Sequence, residues 1–324
     1  MSNAFFPPFP FLTLFTVDTQ LILEYDLTVY CTQYIAEVCM DTSAQGLKNR
    51  RKIVVAVAPV VHVDHPLPAG TKNPLTPEEI ARDVVSCWKE GASMVHLHVR
   101  DRMGAQVSDL TTFSKTIDLI RKESDILIQG STGGVSSLSL EERCVSVEEP
   151  RTQLASLNMG STNLGEGVYI NTLPDIRFWA RKMQTQRVVP ELEIFSLGMI
   201  ESVLKLKQEG VLKEPLNFNL CLGFDGALPA KPIHLYHFIA SLPEGSHWSL
   251  IHEGMRDMSL LLAAVTFGAS GVRVGFEDGC YLTPSHPARS NVELARHLVS
   301  LLRGIGYEPA TVEEAKTLLG VLKP

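Results

Sequence analysis

No two of the six cysteines stand as C-x-x-C: they are scattered at Cys31, Cys39, Cys87, Cys144, Cys221 and Cys280. That spacing excludes a thiolate zinc knuckle and gives no sign of a disulfide framework. It fits a reducing cytoplasm, with most of the thiols acting as small core hydrophobes. The chain also lacks a Lys/Arg stripe, and its net charge is −7. A nucleic-acid binder is therefore not expected, because phosphate contacts need clustered cations. The short basic run Lys48, Arg50, Arg51, Lys52 reads as a solvated lead-in to the first strand.

Long uninterrupted apolar runs are missing too. The N-terminal Phe5-Phe6-Pro7-Pro8-Phe9-Pro10-Phe11 is broken by prolines, has no basic segment before it, and is soon interrupted by Asp18, Glu24 and Asp26. Such a stretch is too short to span a bilayer and is a poor signal peptide. Regular patterning begins only near Lys52, so residues 1–48 are expected to be an extension outside the core. It is either an over-called start, with Met40 as the real first residue, or an arm packing on a partner subunit. Neither G-x-G-x-x-G nor G-x-x-x-x-G-K-[ST] occurs, which speaks against a dinucleotide or P-loop site.

What is present is a globular composition, 45% hydrophobic and 20% charged, with ample apolar material for a core. From Ile53 onward, short apolar runs alternate with amphipathic segments, the pattern of βα units. Candidate strands are Ile53–Ala58, Met94–Val99, Ile126–Gln129, Leu154–Asn158, Val188–Ile194, Phe218–Leu222, Trp248–His252 and Val272–Phe276. Helical patterns include Pro77–Glu90, Leu110–Glu123, Leu197–Glu209, Met255–Phe267, Asn291–Leu302 and Thr311–Leu319. Thr76, Pro77 and Glu79 form a capping box with proline in the first turn. Eight strands with no linker between them predict one α/β domain over residues 49–324, a closed (β/α)8 TIM barrel.

Side chains alternate across a strand, so His96 and His98 share one face while Val95, Leu97 and Val99 take the other. Two imidazoles facing inward near a strand's C-terminal end stand where barrels do chemistry. On the eighth strand Arg273, Gly275 and Glu277 share a face, and a closed barrel brings this strand close to the second. His96, His98 and Glu277 thus form a candidate metal set, two His and a carboxylate with a position left for water or substrate. The plainer alternative for Glu277 is a pair with Arg273, and both can hold together. Asp278 follows directly, and an Arg273–Asp278 pair would orient a carboxylate able to move protons. Gln129-Gly130-Ser131-Thr132-Gly133-Gly134 closes the third strand as either a tight turn or an anion site with free backbone N–H groups. Asn158-Met159-Gly160-Ser161 and Gly223-Phe224-Asp225-Gly226 are weaker turns of the same kind. Glu191 and Glu193 alternate inward, as interior salt-bridge partners rather than a spare metal ligand.

Taken in order, several segments resemble the β-keto acid cleavage enzymes. They are Lys52–Pro59, Pro74-Leu75-Thr76-Pro77-Glu78-Glu79, His96-Leu97-His98-Val99-Arg100-Asp101, Gln129–Gly134, Leu157-Asn158-Met159-Gly160, Val189-Pro190-Glu191-Leu192-Glu193 and Val272-Arg273-Val274-Gly275-Phe276-Glu277-Asp278. The resemblance runs from residue 50 to the end, and the combined set is highly specific. It implies a zinc (β/α)8 barrel that condenses a β-keto acid with acetyl-CoA to give acetoacetate and a new acyl-CoA. It also implies His96, His98 and Glu277 as zinc ligands and Arg273 with Asp278 as the acid/base pair. Ser131, Gly133 and Gly134 match the family's substrate-carboxylate turn, with Thr132 beside them, and Ser156 and Asn158 match further substrate positions. A homotetramer is implied as well.

Three departures stand out. His62, in Val61-His62-Val63-Asp64-His65, takes the place of a substrate-facing Glu. Gly223-Phe224-Asp225-Gly226 lacks the usual paired glycines, and Gly279 replaces an Asn. An imidazole does not suit a substrate ammonium, so the expected substrate has no cationic amine. A keto-diacid whose far carboxylate meets His62 or His65 fits that expectation.

Overall fold

The computed structural model describes residues 51–101, 104–134 and 137–321. The expected extension at 1–48, with Cys31, Cys39 and Met40, lies outside the described residues. Eight parallel strands form a closed ring: β1 (Lys52–Val57), β2 (Met94–Leu97), β3 (Leu127–Gly130), β4 (Leu154–Asn158), β5 (Val189–Ile194), β6 (Asn217–Leu222), β7 (His247–His252) and β8 (Gly271–Val274). Each pairs with the next, and β8 closes on β1 with Val54 opposite Gly271 and Val57 opposite Val274. This is the (β/α)8 barrel that the alternating pattern predicts.

The surrounding helices are α1 (Pro77–Lys89), α2 (Thr111–Arg121), α3 (Leu173–Gln186), α4 (Leu197–Gln208), α5 (Pro232–Ser241), α6 (Ser259–Thr266) and α7 (Asn291–Gly304). Between β3 and β4 the described residues form a single helical turn, Leu140–Arg143, and a 3-10 turn, Val145–Glu148. The Thr76–Glu79 capping box at the start of α1 is formed, each side chain bonding the other's backbone N–H. Helix α6 begins later than its apolar pattern suggests. Met255 is buried in the preceding loop, where its N–H donates to the Asp278 carbonyl at 3.2 Å.

Strand parity sorts the core into two parts. Outward residues Val55, Val57, Val95, Leu97, Ile128, Ala155, Leu157 and Leu192 pack with the helices in one large apolar shell. Inward residues Val54, Ala56, Met94, Leu127 and Leu154 form a separate apolar floor. That floor is sealed by α8 (Val312–Leu319), through Val312, Ala315 and Leu319. Thr311 caps α8 in a capping box with Glu314, and Asn217 Nδ2 donates to the Leu319 carbonyl at 2.9 Å. The four described cysteines, Cys87, Cys144, Cys221 and Cys280, are free and buried.

Candidate metal centre and active site

Above the floor the barrel interior turns polar. Register places His96 of β2 opposite Gln129 of β3, and Ser156 of β4 opposite Glu191 of β5. His96 and Gln129 meet through Nδ1 and Oε1 at 2.5 Å, and the Gln129 amide donates to the Glu191 carboxylate. An amide oxygen can only accept, so His96 Nδ1 carries the proton and Nε2 presents its lone pair. His96 Nε2 lies 3.2 Å from His98 Nε2, and the Glu277 oxygens lie 3.6 Å and 3.3 Å from the two imidazoles. One ligating atom from each of the three residues falls within 4.8 Å of the others.

The electrostatics suit a cation. Burial pushes His96 down to about 3 and also lowers His98, so both rings are neutral. Burial works against ionisation of Glu277, but the Arg273 guanidinium and a hydrogen bond from His98 hold Glu277 well below the carboxylate range. His96 Nε2 and the Glu277 oxygens are acceptors, and a neutral His98 with its proton on Nδ1 instead turns a third lone pair to the same point, where a cation would draw all three together. The donor set therefore fits a divalent metal.

Strand β8 ends at Val274, two residues sooner than its apolar pattern suggests. Gly275, at φ 141°, turns the chain where a Cβ would strike the Ala58 carbonyl at 2.1 Å. Glu277 therefore reaches the histidines from a turn rather than from a continuing strand, its N–H bonded to the Ala58 carbonyl at 3.2 Å. Both contacts open to Glu277 are made, since Arg273 Nη2 lies 3.3 Å from its Oε1. Arg273 Nε donates to Asp278 Oδ2 at 2.8 Å, and Nη2 donates to Oδ1. Burial raises Asp278 to about 6, with Arg273 pulling the other way.

The Ser131–Gly134 turn lies beside His98, because the Ser131 N–H bonds the Leu97 carbonyl at 2.8 Å. The prediction of free backbone N–H groups there is corrected. The Thr132 N–H donates to Ser156 Oγ at 3.2 Å, and the Gly133 N–H donates to Ser131 Oγ at 3.2 Å. Thr132 Oγ1 donates to the Ser156 carbonyl at 2.5 Å, and Ser146 holds the Ser131 carbonyl at 2.8 Å. At the end of β4, Asn158 Oδ1 accepts from the Gly160 N–H at 3.3 Å, while its buried Nδ2 finds no partner among the described residues.

His62 is not brought to this cluster. Its side chain is 59% exposed and faces Asp64 at 3.6 Å. A turn closed by the His65 N–H on the His62 carbonyl keeps the ring in solvent, and His65 is exposed as well. The pairing expected of Glu191 and Glu193 is also corrected. Neither forms a salt bridge among the described residues; Glu191 takes the Gln129 amide instead, and burial raises both to about 7.

Sequence reasoning passed over three residues of the site. Gln129 read only as the start of a turn, although strand parity puts it on the inner face. Glu253, just past β7, is half-buried, and burial, then Asp278 and Glu277, raise it to about 8. Asn291, fully buried at the start of α7, accepts from the Phe276 N–H at 2.8 Å and donates to the Pro59 carbonyl at 2.9 Å and to Asp83 at 2.6 Å. It thereby braces the residue before Glu277 against the end of β1 and helix α1. No local signal marks it, because its three partners are far away in sequence.

Comparison with known proteins agrees with this architecture. The chain is 35% identical over 252 residues to a 3-keto-5-aminohexanoate cleavage enzyme of Fusobacterium nucleatum, covering 77% of this chain and 91% of the relative. It is 30% identical over 263 residues to a 3-oxoadipate:acetyl-CoA acetyltransferase of Cupriavidus necator, covering 79% and 91%. The apo structure of ObcA superposes with a TM-score of 0.62 at 19% identity, over 77% of this chain and 65% of that one, a likeness of fold alone. The profile of the β-keto acid cleavage enzymes matches residues 52–321, and the chain belongs to that family.

Proposed function

We propose that the protein is a zinc-dependent transferase that converts a β-keto acid and acetyl-CoA into acetoacetate and a new acyl-CoA. The observation that carries this reading is the convergence of His96, His98 and Glu277 beside the Arg273–Asp278 pair at the barrel mouth. The names of the relatives from Fusobacterium nucleatum and Cupriavidus necator support the substrate class and the acetyl-CoA co-substrate.

His96, His98 and Glu277 would hold the metal, leaving a position open to substrate oxygen. A zinc ion there supplies Lewis-acid polarisation to the carboxylate and ketone of a β-keto acid. The rest of the work falls to the chain's own residues. The transfer takes one proton from the α-carbon, joins that carbon to the acetyl carbonyl and releases the CoA thiolate. The thiolate then attacks the far ketone; the C–C bond breaks to give the acyl-CoA, and the acetoacetate carbanion takes the proton back. Asp278, buried and gripped by Arg273 at two oxygens, is placed to hold and return that proton. Hydroxyls of Ser131 and Ser156 and the Asn158 Nδ2, which has no partner among the described residues, can orient the substrate carboxylate. The same reading carries a homo-oligomer in the cytoplasm, and exposed Ile233 and Tyr236 on α5 offer apolar surface for subunit contact.

The test is formation of CoA esters from acetyl-CoA across a panel of β-keto acids, with metal content measured alongside. Acetyl-CoA-dependent turnover that disappears on chelation and returns with zinc is the expected result. Cleavage that proceeds without acetyl-CoA would replace this reading with a metal-dependent C–C lyase or hydrolase.

A further inference from the structure

Tyr169 ends a hairpin, Thr162–Leu164 with Gly167–Tyr169, that follows β4. Its neighbours Val168 and Ile170 are exposed, yet Tyr169 itself is 3% exposed. Alternation along the strand turns this one ring inward. Its hydroxyl lies directly over the Ser131–Gly134 turn: a Cβ on Gly133 would sit 2.4 Å from it. Behind the ring, the Arg143 guanidinium lies 5.1 Å from the Tyr169 centroid and 4.3 Å from that of Trp179. Arg143 is buried and donates to the Ile170 carbonyl at 2.8 Å and to Asn171 Oδ1 at 2.6 Å. Among the described residues it forms no salt bridge with a carboxylate, so a positive charge stands behind the turn.

The hydrogen-bond arithmetic of the turn then points one way. The Thr132 N–H is spent on Ser156 Oγ and the Gly133 N–H on Ser131 Oγ. The Gly134 backbone and the Arg143 guanidinium both act on the Tyr169 oxygen in the sense that opposes burial. A hydroxyl has two lone pairs and one proton. Where such groups already act on the oxygen, the hydroxyl's own proton is left to donate. Burial, with Glu193 nearby, pushes the Tyr169 phenol well above its ordinary value, so that proton stays in place.

We propose that the substrate carboxylate is received by hydroxyls rather than by backbone N–H groups, and that Tyr169 is the third of them beside Ser131 and Ser156. In this arrangement the turn's backbone polarises the hydroxyls, and Arg143 lends the charge that favours an anion. Gly133 is required because any side chain there would displace the Tyr169 hydroxyl. The inference rests on the β-keto acid reading given above and adds a binding residue to it.

Tyr169→Phe keeps the ring and removes only the donor. In the metal-loaded enzyme, KM for the β-keto acid should rise about 10- to 100-fold, as for a lost hydrogen bond to a charged group. KM for acetyl-CoA, metal content and melting temperature should stay at wild-type values. Gly133→Ala should produce the same keto-acid-specific defect. An unchanged keto-acid KM in Tyr169→Phe overturns the proposal. So does a defect that raises both KM values and lowers the melting temperature together, because that marks a packing role. Calorimetric titration with acetoacetate, itself a β-keto acid, separates the two readings. Tyr169-dependent acetoacetate binding without any transfer would sink the transferase reading and leave this one standing. Equal acetoacetate binding by wild type and Tyr169→Phe would sink this one alone, and no binding by the wild type would sink both.

Discussion

The lower and upper storeys of the barrel interior are built by the same strands and have opposite chemistry. Strand β2 supplies Met94 below and His96 above, β3 supplies Leu127 and then Gln129, and β4 supplies Leu154 and then Ser156. One step of two residues along each strand separates an apolar floor from a polar, titratable chamber. The floor gains from burial, at about 25 cal/mol per Å² of apolar surface. The chamber does the reverse: it holds Glu191 and Glu193 at about 7 and His96 near 3, each shifted mainly by loss of water. A barrel filled throughout with Val, Ile and Leu would avoid that cost. Here the outer shell and the floor offset it, and the chamber is left free to place charge where a reaction uses it.

The contrast can be broken from either side. Asp278→Asn, in the chamber, should lower kcat by about 10²–10⁴-fold while metal content stays the same, measured by steady-state kinetics beside elemental analysis. Leu154→Ala, two residues below Ser156 on the floor, should cost about 2–5 kcal/mol of stability in urea unfolding. The folded fraction should keep its metal and its turnover. Gln129→Leu is intermediate, because Gln129 orients His96 without being a candidate ligand. It should weaken metal binding by about 10–100-fold in competition with a chromophoric chelator.

The smallest effect concerns the brace under Glu277. Burial raises Asp83 from 3.8 to about 6, against the opposing pull of its bond from Asn291. Between those values the folded chain holds a proton that the unfolded chain releases. This contribution to stability is therefore complete below about pH 4 and is lost as pH rises through about 6. Asp83→Asn keeps an acceptor for Asn291 and removes the titration. Its urea midpoint should change less between pH 4 and pH 7 than that of the wild type, and an identical slope would show that Asp83 does not titrate there.

The sequence by itself determined the strands, most of the helices and the inward direction of His96, because these follow from periodicity. Periods of two and 3.6 residues are local, and so are capping signals such as Thr76 with Glu79. The order of motifs was also enough to carry the family. Only the tertiary structure decided how Glu277 arrives, since the turn at Gly275 answers to the Ala58 carbonyl, just past β1 and more than 200 residues earlier. The same holds for the occupied N–H groups of the Ser131–Gly134 turn, the exposure of His62, the brace at Asn291 and the approach of Tyr169 to Gly133. Each depends on hydrogen bonds or contacts whose geometry is set by folding. Hydrophobic pattern is written along the chain, whereas satisfaction of buried polar groups is settled only when distant segments meet.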